Sequence, residues 1–140
     1  MPSITLEPKN LSELVTRMDD DIWVVTCLCA AWCDVCTQYK PGFDALAEQH
    51  PDKLFLWIDI EDQADVIGDF DVENFPTLLI QRGDDVVFYG TTLPDSHIAN
   101  RLITSHAEQT EEQNRAGIRS TAERQTWQLE RNLRRTLTSR

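Results

Sequence analysis

Ile22-Trp23-Val24-Val25-Thr26-Cys27-Leu28-Cys29-Ala30-Ala31 runs without a charge into Trp32-Cys33-Asp34-Val35-Cys36, and a helix-forming stretch follows. The apolar run reads as a strand buried on both faces, the kind that pairs in parallel. Residues 37–49 read as a helix with Tyr39, Phe43, Leu46 and Ala47 on one face. A Cys-x-x-Cys at that junction brings two sulfurs within bonding reach across the first helical turn. The first sulfur stands where unpaired N–H groups and the helix dipole favour a thiolate. A thiolate there can attack a disulfide, and its neighbour can resolve the mixed disulfide. The same spacing also forms half of a zinc site, and the pair alone leaves both readings open. Pro41 removes one intrahelical hydrogen bond and predicts a kink about a turn after the cysteines.

Outward from this stretch, strands and helices alternate. Residues 3–6 read as a short strand, and Asn10 as the N-cap of a helix over residues 11–18. Leu11, Leu14, Val15 and Met18 share its apolar face, and Asp19-Asp20-Asp21 ends it. Residues 53–60 form another buried strand. Residues 61–70 read as a short acidic helix with Ala64, Val66 and Ile67 inward, and residues 71–75 as irregular. A strand begins at Pro76, turns at Gly83-Asp84-Asp85 and returns over residues 86–89, a hairpin signal. Residues 94–103 close the body as a helix. This order predicts an α/β fold, a mixed central sheet with helices on both faces. Trp23 and Trp57 read as core and Trp32 as surface, while His50, His97 and His106 fall at element ends as solvated polar residues.

The 140 residues suffice for one domain with a real core. No apolar run approaches the ~20 residues of a membrane span. Residues 1–21 lack a basic start and an apolar h-region, so cytoplasmic localisation is expected, where thiols stay mostly reduced. The net charge of −11 is uneven. Residues 1–104 carry 19 acidic and 6 basic side chains, and residues 105–140 carry 5 and 7. So acidic a body argues against nucleic acid as a partner, and no membrane partner is expected.

Three features now carry a resemblance to thioredoxin. They are Trp32-Cys33-x-x-Cys36 after the buried strand, Phe75-Pro76-Thr77 before another apolar strand, and Gly90 after the hairpin. The resemblance covers about residues 3–104 and sets the domain as 1–104. It implies the thioredoxin fold, catalytic Cys33 and Cys36, and a substrate surface of Trp32, Phe75, Pro76 and Gly90. Cys33 and Cys36 are implied as a reversible disulfide pair, with Cys33 the more exposed. Pro76 is implied as the cis-proline opposite the dithiol. Proline pays only ~1 kcal/mol for a cis bond, and backbone groups left free beside it can pair with an extended peptide. Disulfide-containing protein substrates and a reductase as electron donor are implied as partners, with no bound cofactor.

The departures bear on tuning. Asp34-Val35 stands where the family usually has Gly-Pro, and the Asp34 carboxylate disfavours a neighbouring thiolate. Cys27 stands where the family keeps a buried aspartate that takes a proton from the second cysteine. A buried thiol is a poor base at neutral pH. Cys29 stands where the family has an aromatic. Cys27 and Cys29, at i and i+2 of a strand, face one side. A bond between them is not expected, since their Cα atoms would lie ~6.6 Å apart with parallel Cβ directions. They read as small buried hydrophobes, as a regulatory thiol near Cys33, or as two ligands of a four-cysteine metal site. The last would require the strand to deform, so no metal is expected.

Residues 105–140 have no counterpart in the resembled family. Their Glu, Gln, Arg and Ala content favours helix. Ile118, Ala122, Leu129, Leu133 and Leu137 lie on one stripe, with Trp127 opposite and Gly117 as an interruption. One continuous helix would be ~54 Å long, so part must leave the body or fold back. The extension reads as helical or disordered, and as a surface for docking or self-association. Two functions compete: a thiol–disulfide oxidoreductase, and an interaction module or assembly chaperone with a vestigial or sensing dithiol.

Overall fold

The computed structural model describes residues 3–67, 70, 72, 74–91 and 95–138. Its strands are β1 (Ile4–Thr5), β2 (Trp23–Cys29), β3 (Leu54–Asp59), β4 (Thr77–Arg82) and β5 (Asp85–Thr91). They form one sheet in the order β1-β3-β2-β4-β5. The uncharged run becomes the middle strand, where both faces and both edges are covered. β2 pairs in parallel with β3 and antiparallel with β4, so the sheet is mixed as expected. Alternation sends Val25, Cys27 and Cys29 to one face and Val24 and Leu28 to the other.

The helices are α1 (Leu11–Arg17), α2 (Asp34–Gln49), α3 (Ala64–Ile67), α4 (Ser96–Glu108), α5 (Glu111–Ile118), α6 (Ala122–Glu130) and α7 (Leu133–Thr138). The cysteine face is covered by Tyr39, Phe43 and Leu46 of α2, Ala99 and Ile103 of α4, and Ile118 of α5. Leu14 of α1, Ile67 of α3, and Leu133 and Leu137 of α7 cover the opposite face. The turn between β4 and β5 uses Gly83 at φ 56°. A Cβ there would stand 2.7 Å from the Asp20 carbonyl oxygen, so the close approach and the positive φ both require glycine.

Several boundaries differ from the sequence reading. α2 begins at Asp34, three residues early, with Cys33 as its N-cap residue, and it continues through Pro41. Asn10 makes no side-chain cap to α1. Its side chain turns back to accept from the Glu7 amide at 2.9 Å and to donate to the Thr5 carbonyl at 2.9 Å. Ala64 is exposed, and Gln63 takes the inward position instead. Trp23 and Trp57 are half-buried at the rim of the core, beneath Arg82 and Lys40 respectively. Half-buried His106 and a His50 hydrogen-bonded to Asn100 at 2.7 Å are not simply solvated. α4 starts after an Asp95 cap and runs on to Glu108, across the expected domain boundary. Pro94 of the expected last helix, Gly68 and Asp69 of the acidic helix, and two residues of the irregular 71–75 segment lie outside the described residues.

The extension folds back onto the body and neither stands out as one helix nor lies loose. Thr110 and Thr121 break it, each accepting from the backbone amide three residues on, at 3.0 and 3.1 Å. Gly117 lies inside α5, and the break follows it. The segments wrap the outer edge of the sheet. At β5 the Gln128 amide pairs with one residue as a neighbouring strand would: its Oε1 accepts from the Val86 N–H at 2.8 Å, and its Nε2 donates to the Val86 carbonyl at 2.7 Å. Beyond the edge, buried Gln81 donates to Asn132 Oδ1 at 2.6 Å and accepts from the Leu133 N–H at 2.9 Å. The predicted stripe is therefore divided. Ile118, Leu133 and Leu137 enter the core, Ala122 and Leu129 face outward, and Trp127 packs edge-on against Phe88. The stripe's buried residues are spent on the chain's own core, and Leu129 remains exposed.

Candidate active site

β2 delivers its last two cysteines to the end of the sheet where α2 begins. Asp59, at the end of β3, ties the intervening loop to the turn that follows β3. Its Oδ2 accepts from the Ala31 amide at 2.7 Å, and its Oδ1 from the Glu61 and Asp62 amides at 2.9 and 3.1 Å. Glu61 in turn accepts from Trp32 Nε1 at 2.7 Å. Sequence reasoning missed Asp59 and Glu61. An aspartate closing a strand and capping the next two amides is an Asx-turn signal that could have found the first.

Trp32 is 64% exposed and meets Phe75 edge-on, ring centroids 5.6 Å apart. The Phe75–Pro76 peptide is cis, and Pro76 is buried. Trp32, Phe75 and Pro76 thus converge beside the start of α2. Gly90 lies on β5 opposite Leu78, one pair inside the Thr77–Thr91 pair that follows Pro76. It borders a cleft of about 340 Å³ with Asn74, Tyr89, Trp127 and Arg131, so one wall of that cleft comes from the extension. Asp34 is exposed at the first position of α2.

The sulfur pairing departs from the sequence expectation. Cys36 is bonded to Cys29, with Cα atoms 5.9 Å apart, and not to Cys33. The reason lies in the docking of two elements. Cys29 points from the strand toward the face that α2 covers, and Cys36 is the first α2 side chain to turn inward onto it. Cys33 remains a half-buried free thiol at the N-cap. Cys27 is the second free thiol and is buried. Its sulfur lies 3.5 Å from that of Cys29. Since Cys29 has no S–H in the disulfide, Cys27 is the donor.

Burial pushes the Cys27 thiol up, against a smaller opposing pull from Lys40. It therefore keeps its proton and does not replace a buried carboxylate as a base. Tyr39, also buried on this face, is likewise pushed up, mainly by burial and then by Cys27 and Asp95. Its hydroxyl has no hydrogen-bond partner among the described residues. Among those residues no group of three or more His, Cys, Asp or Glu side chains has the geometry to hold a metal ion. Nor is any helix among them long and apolar enough to cross a membrane.

A family profile described as Thioredoxin matches residues 2–104. The chain is 34% identical over 64 residues to the thioredoxin of Ophiophagus hannah, covering 46% of this chain and 61% of that protein. It is 31% identical over 81 residues to a thioredoxin H-type of Brassica campestris, covering 58% of this chain and 65% of that protein. It thus matches under two thirds of the length of each of these relatives. The crystal structure of a poplar thioredoxin h superposes with a TM-score of 0.69 at 20% identity, covering 79% of this chain and all of that one, which shows a shared fold. With the profile spanning the sheet, the cis-proline loop and all four cysteines, the chain belongs to the thioredoxin family.

Proposed function

We propose that this protein is a thiol–disulfide oxidoreductase acting on protein disulfides, with Cys33 as the nucleophile and Cys36 as the resolving thiol. The observation that carries the reading is the position of Cys33. It is a free, half-buried thiol at the N-terminus of α2, beside Trp32, Phe75 and the cis peptide before Pro76. In the reduced protein the Cys33 thiolate attacks one sulfur of a substrate disulfide, and the other substrate sulfur leaves as a thiolate. The Cys36 thiolate then attacks the Cys33 sulfur. The substrate departs reduced by two electrons, and the protein retains one disulfide. A thiol reductant, or a reductase supplying two electrons, restores the dithiol. Trp32, Phe75 and Pro76, with Gly90 at the border, form the surface for an extended peptide, and Asp34 tunes the nucleophile. No bound cofactor takes part, and the cytoplasm is the proposed compartment.

The test is reduction of insulin disulfides driven by dithiothreitol. The wild type is expected to accelerate precipitation of the insulin B chain, and Cys33→Ser to fall to the uncatalysed rate. A folded Cys33→Ser as active as an accelerating wild type would remove Cys33 as the nucleophile, and a wild type no faster than the uncatalysed rate would leave the interaction-module alternative.

A further inference from the structure

We propose that Cys29 is a third redox-active thiol of this site, and that its single disulfide moves between a buried Cys29–Cys36 pairing and an outer Cys33–Cys36 pairing. The inference rests on the thiol–disulfide reading above and adds a residue and a step to it.

Cys36 has a thiol on either side. Cys29 reaches it from the end of β2 and is bonded to it. Cys33, the N-cap residue of α2, precedes it by three residues, across the first turn of the helix. Cys29 and Cys36 are each 1% exposed, so the observed disulfide is hidden from a bulky external thiol. Cys33 alone combines a free sulfur with access to solvent. The oxidised protein thus carries a usable surface thiol, which a Cys33–Cys36 disulfide would not leave.

The interchange balances without an oxidant. The Cys33 thiolate attacks Cys36 Sγ, a Cys33–Cys36 bond forms, and the Cys29–Cys36 bond breaks. Cys29 leaves with the bonding electron pair and takes up the proton that Cys33 released. One disulfide is present before and after. The geometry prepares Cys29 as the leaving group, because the Cys27 S–H lies 3.5 Å from its sulfur as a donor. The donor persists because burial keeps Cys27 protonated. The reverse step draws the disulfide inward after a turnover and frees Cys33. A second substrate captured on Cys33 stays as a mixed disulfide until the thiol reductant that restores the dithiol breaks the Cys29–Cys36 bond and frees Cys36.

The experiment is thiol mapping of oxidised protein that has lost two of its four thiols. Iodoacetamide is added to the folded protein, and cleavage before Asp34 with fragmentation locates the label. Cys33 is expected to be labelled to completion in the wild type, at least about tenfold faster than in oxidised Cys29→Ala, where Cys33 is locked to Cys36. Protection of wild-type Cys33 equal to that in Cys29→Ala would overturn the inference. Should Cys29→Ala fail to fold, the wild type decides alone. The proteins are acid-quenched without prior alkylation, unfolded and labelled with N-ethylmaleimide. Label on Cys33 supports the proposal, and label confined to Cys27 and Cys29 refutes it. If Cys33→Ser is inactive on insulin while the map fails, only this inference falls. If Cys33→Ser stays active, the functional reading falls whatever the map shows.

Discussion

Leu133→Ala is expected to destabilise the protein strongly although the residue lies in the polar extension. Leu133 is 1% exposed and packs in the same core as Leu14, Ile67 and Phe70. Truncation removes apolar contact and leaves a cavity, which for a fully buried leucine costs about 2–5 kcal/mol. The backbone bond from the Leu133 N–H to Gln81 is untouched by the substitution, so the loss reports packing. At about 3 °C per kcal/mol for a chain of this size, a ~3 kcal/mol loss lowers Tm by about 9 °C. Leu129→Ala is the matched control. Leu129 lies on the sequence-predicted stripe but is 74% exposed, so its truncation should stay within about 0.5 kcal/mol of the wild type. The assay is urea denaturation followed by circular dichroism at a fixed redox state, with the slope m checked for constancy. Equal midpoints for the two variants would refute the docking of α7.

Gln128→Ala leaves the Val86 N–H and carbonyl on the sheet edge without their side-chain partner, with an expected cost of about 1–3 kcal/mol. Faster hydrogen exchange at the Val86 amide should accompany it, and unchanged protection there would count against the edge pairing. Gly83→Ala forces a side chain into a positive φ and against the Asp20 carbonyl, so it should lose more than about 1 kcal/mol in the same urea assay. His106 is held below its ordinary value, chiefly by burial and further by Arg124, against a smaller opposing pull from the Asn114 side chain. A histidine lowered in the fold contributes stability that is full above its unfolded pKa of about 6.5 and is lost as pH falls through its folded value. The urea midpoint should therefore drop on going from pH 7 to pH 5, and His106→Gln should flatten that drop; an equal drop in both proteins would contradict it.

The sequence by itself determined what is local. An uncharged ten-residue run can be satisfied only inside a sheet, so β2 was legible as the central strand. Cys33 before a helix and Phe75-Pro76-Thr77 before a strand were readable because each motif's chemistry lies within a few residues. The Gly83 turn was legible because only glycine accepts that φ cheaply. The tertiary structure decided the rest, because it depends on distances between elements. Periodicity placed Cys29 on a face of β2 but could not say which α2 side chain would land on it, and that contact assigns Cys29, rather than Cys33, to Cys36. The stripe of the extension assumed one unbroken helix. Once Thr110 and Thr121 cap new helices the phase restarts, and residues that shared a side part to core and solvent. Gln81 and Gln128 are ordinary polar residues along the chain. They acquire roles only where folding brings an unpaired backbone group from another segment within hydrogen-bond reach, which no window of sequence contains.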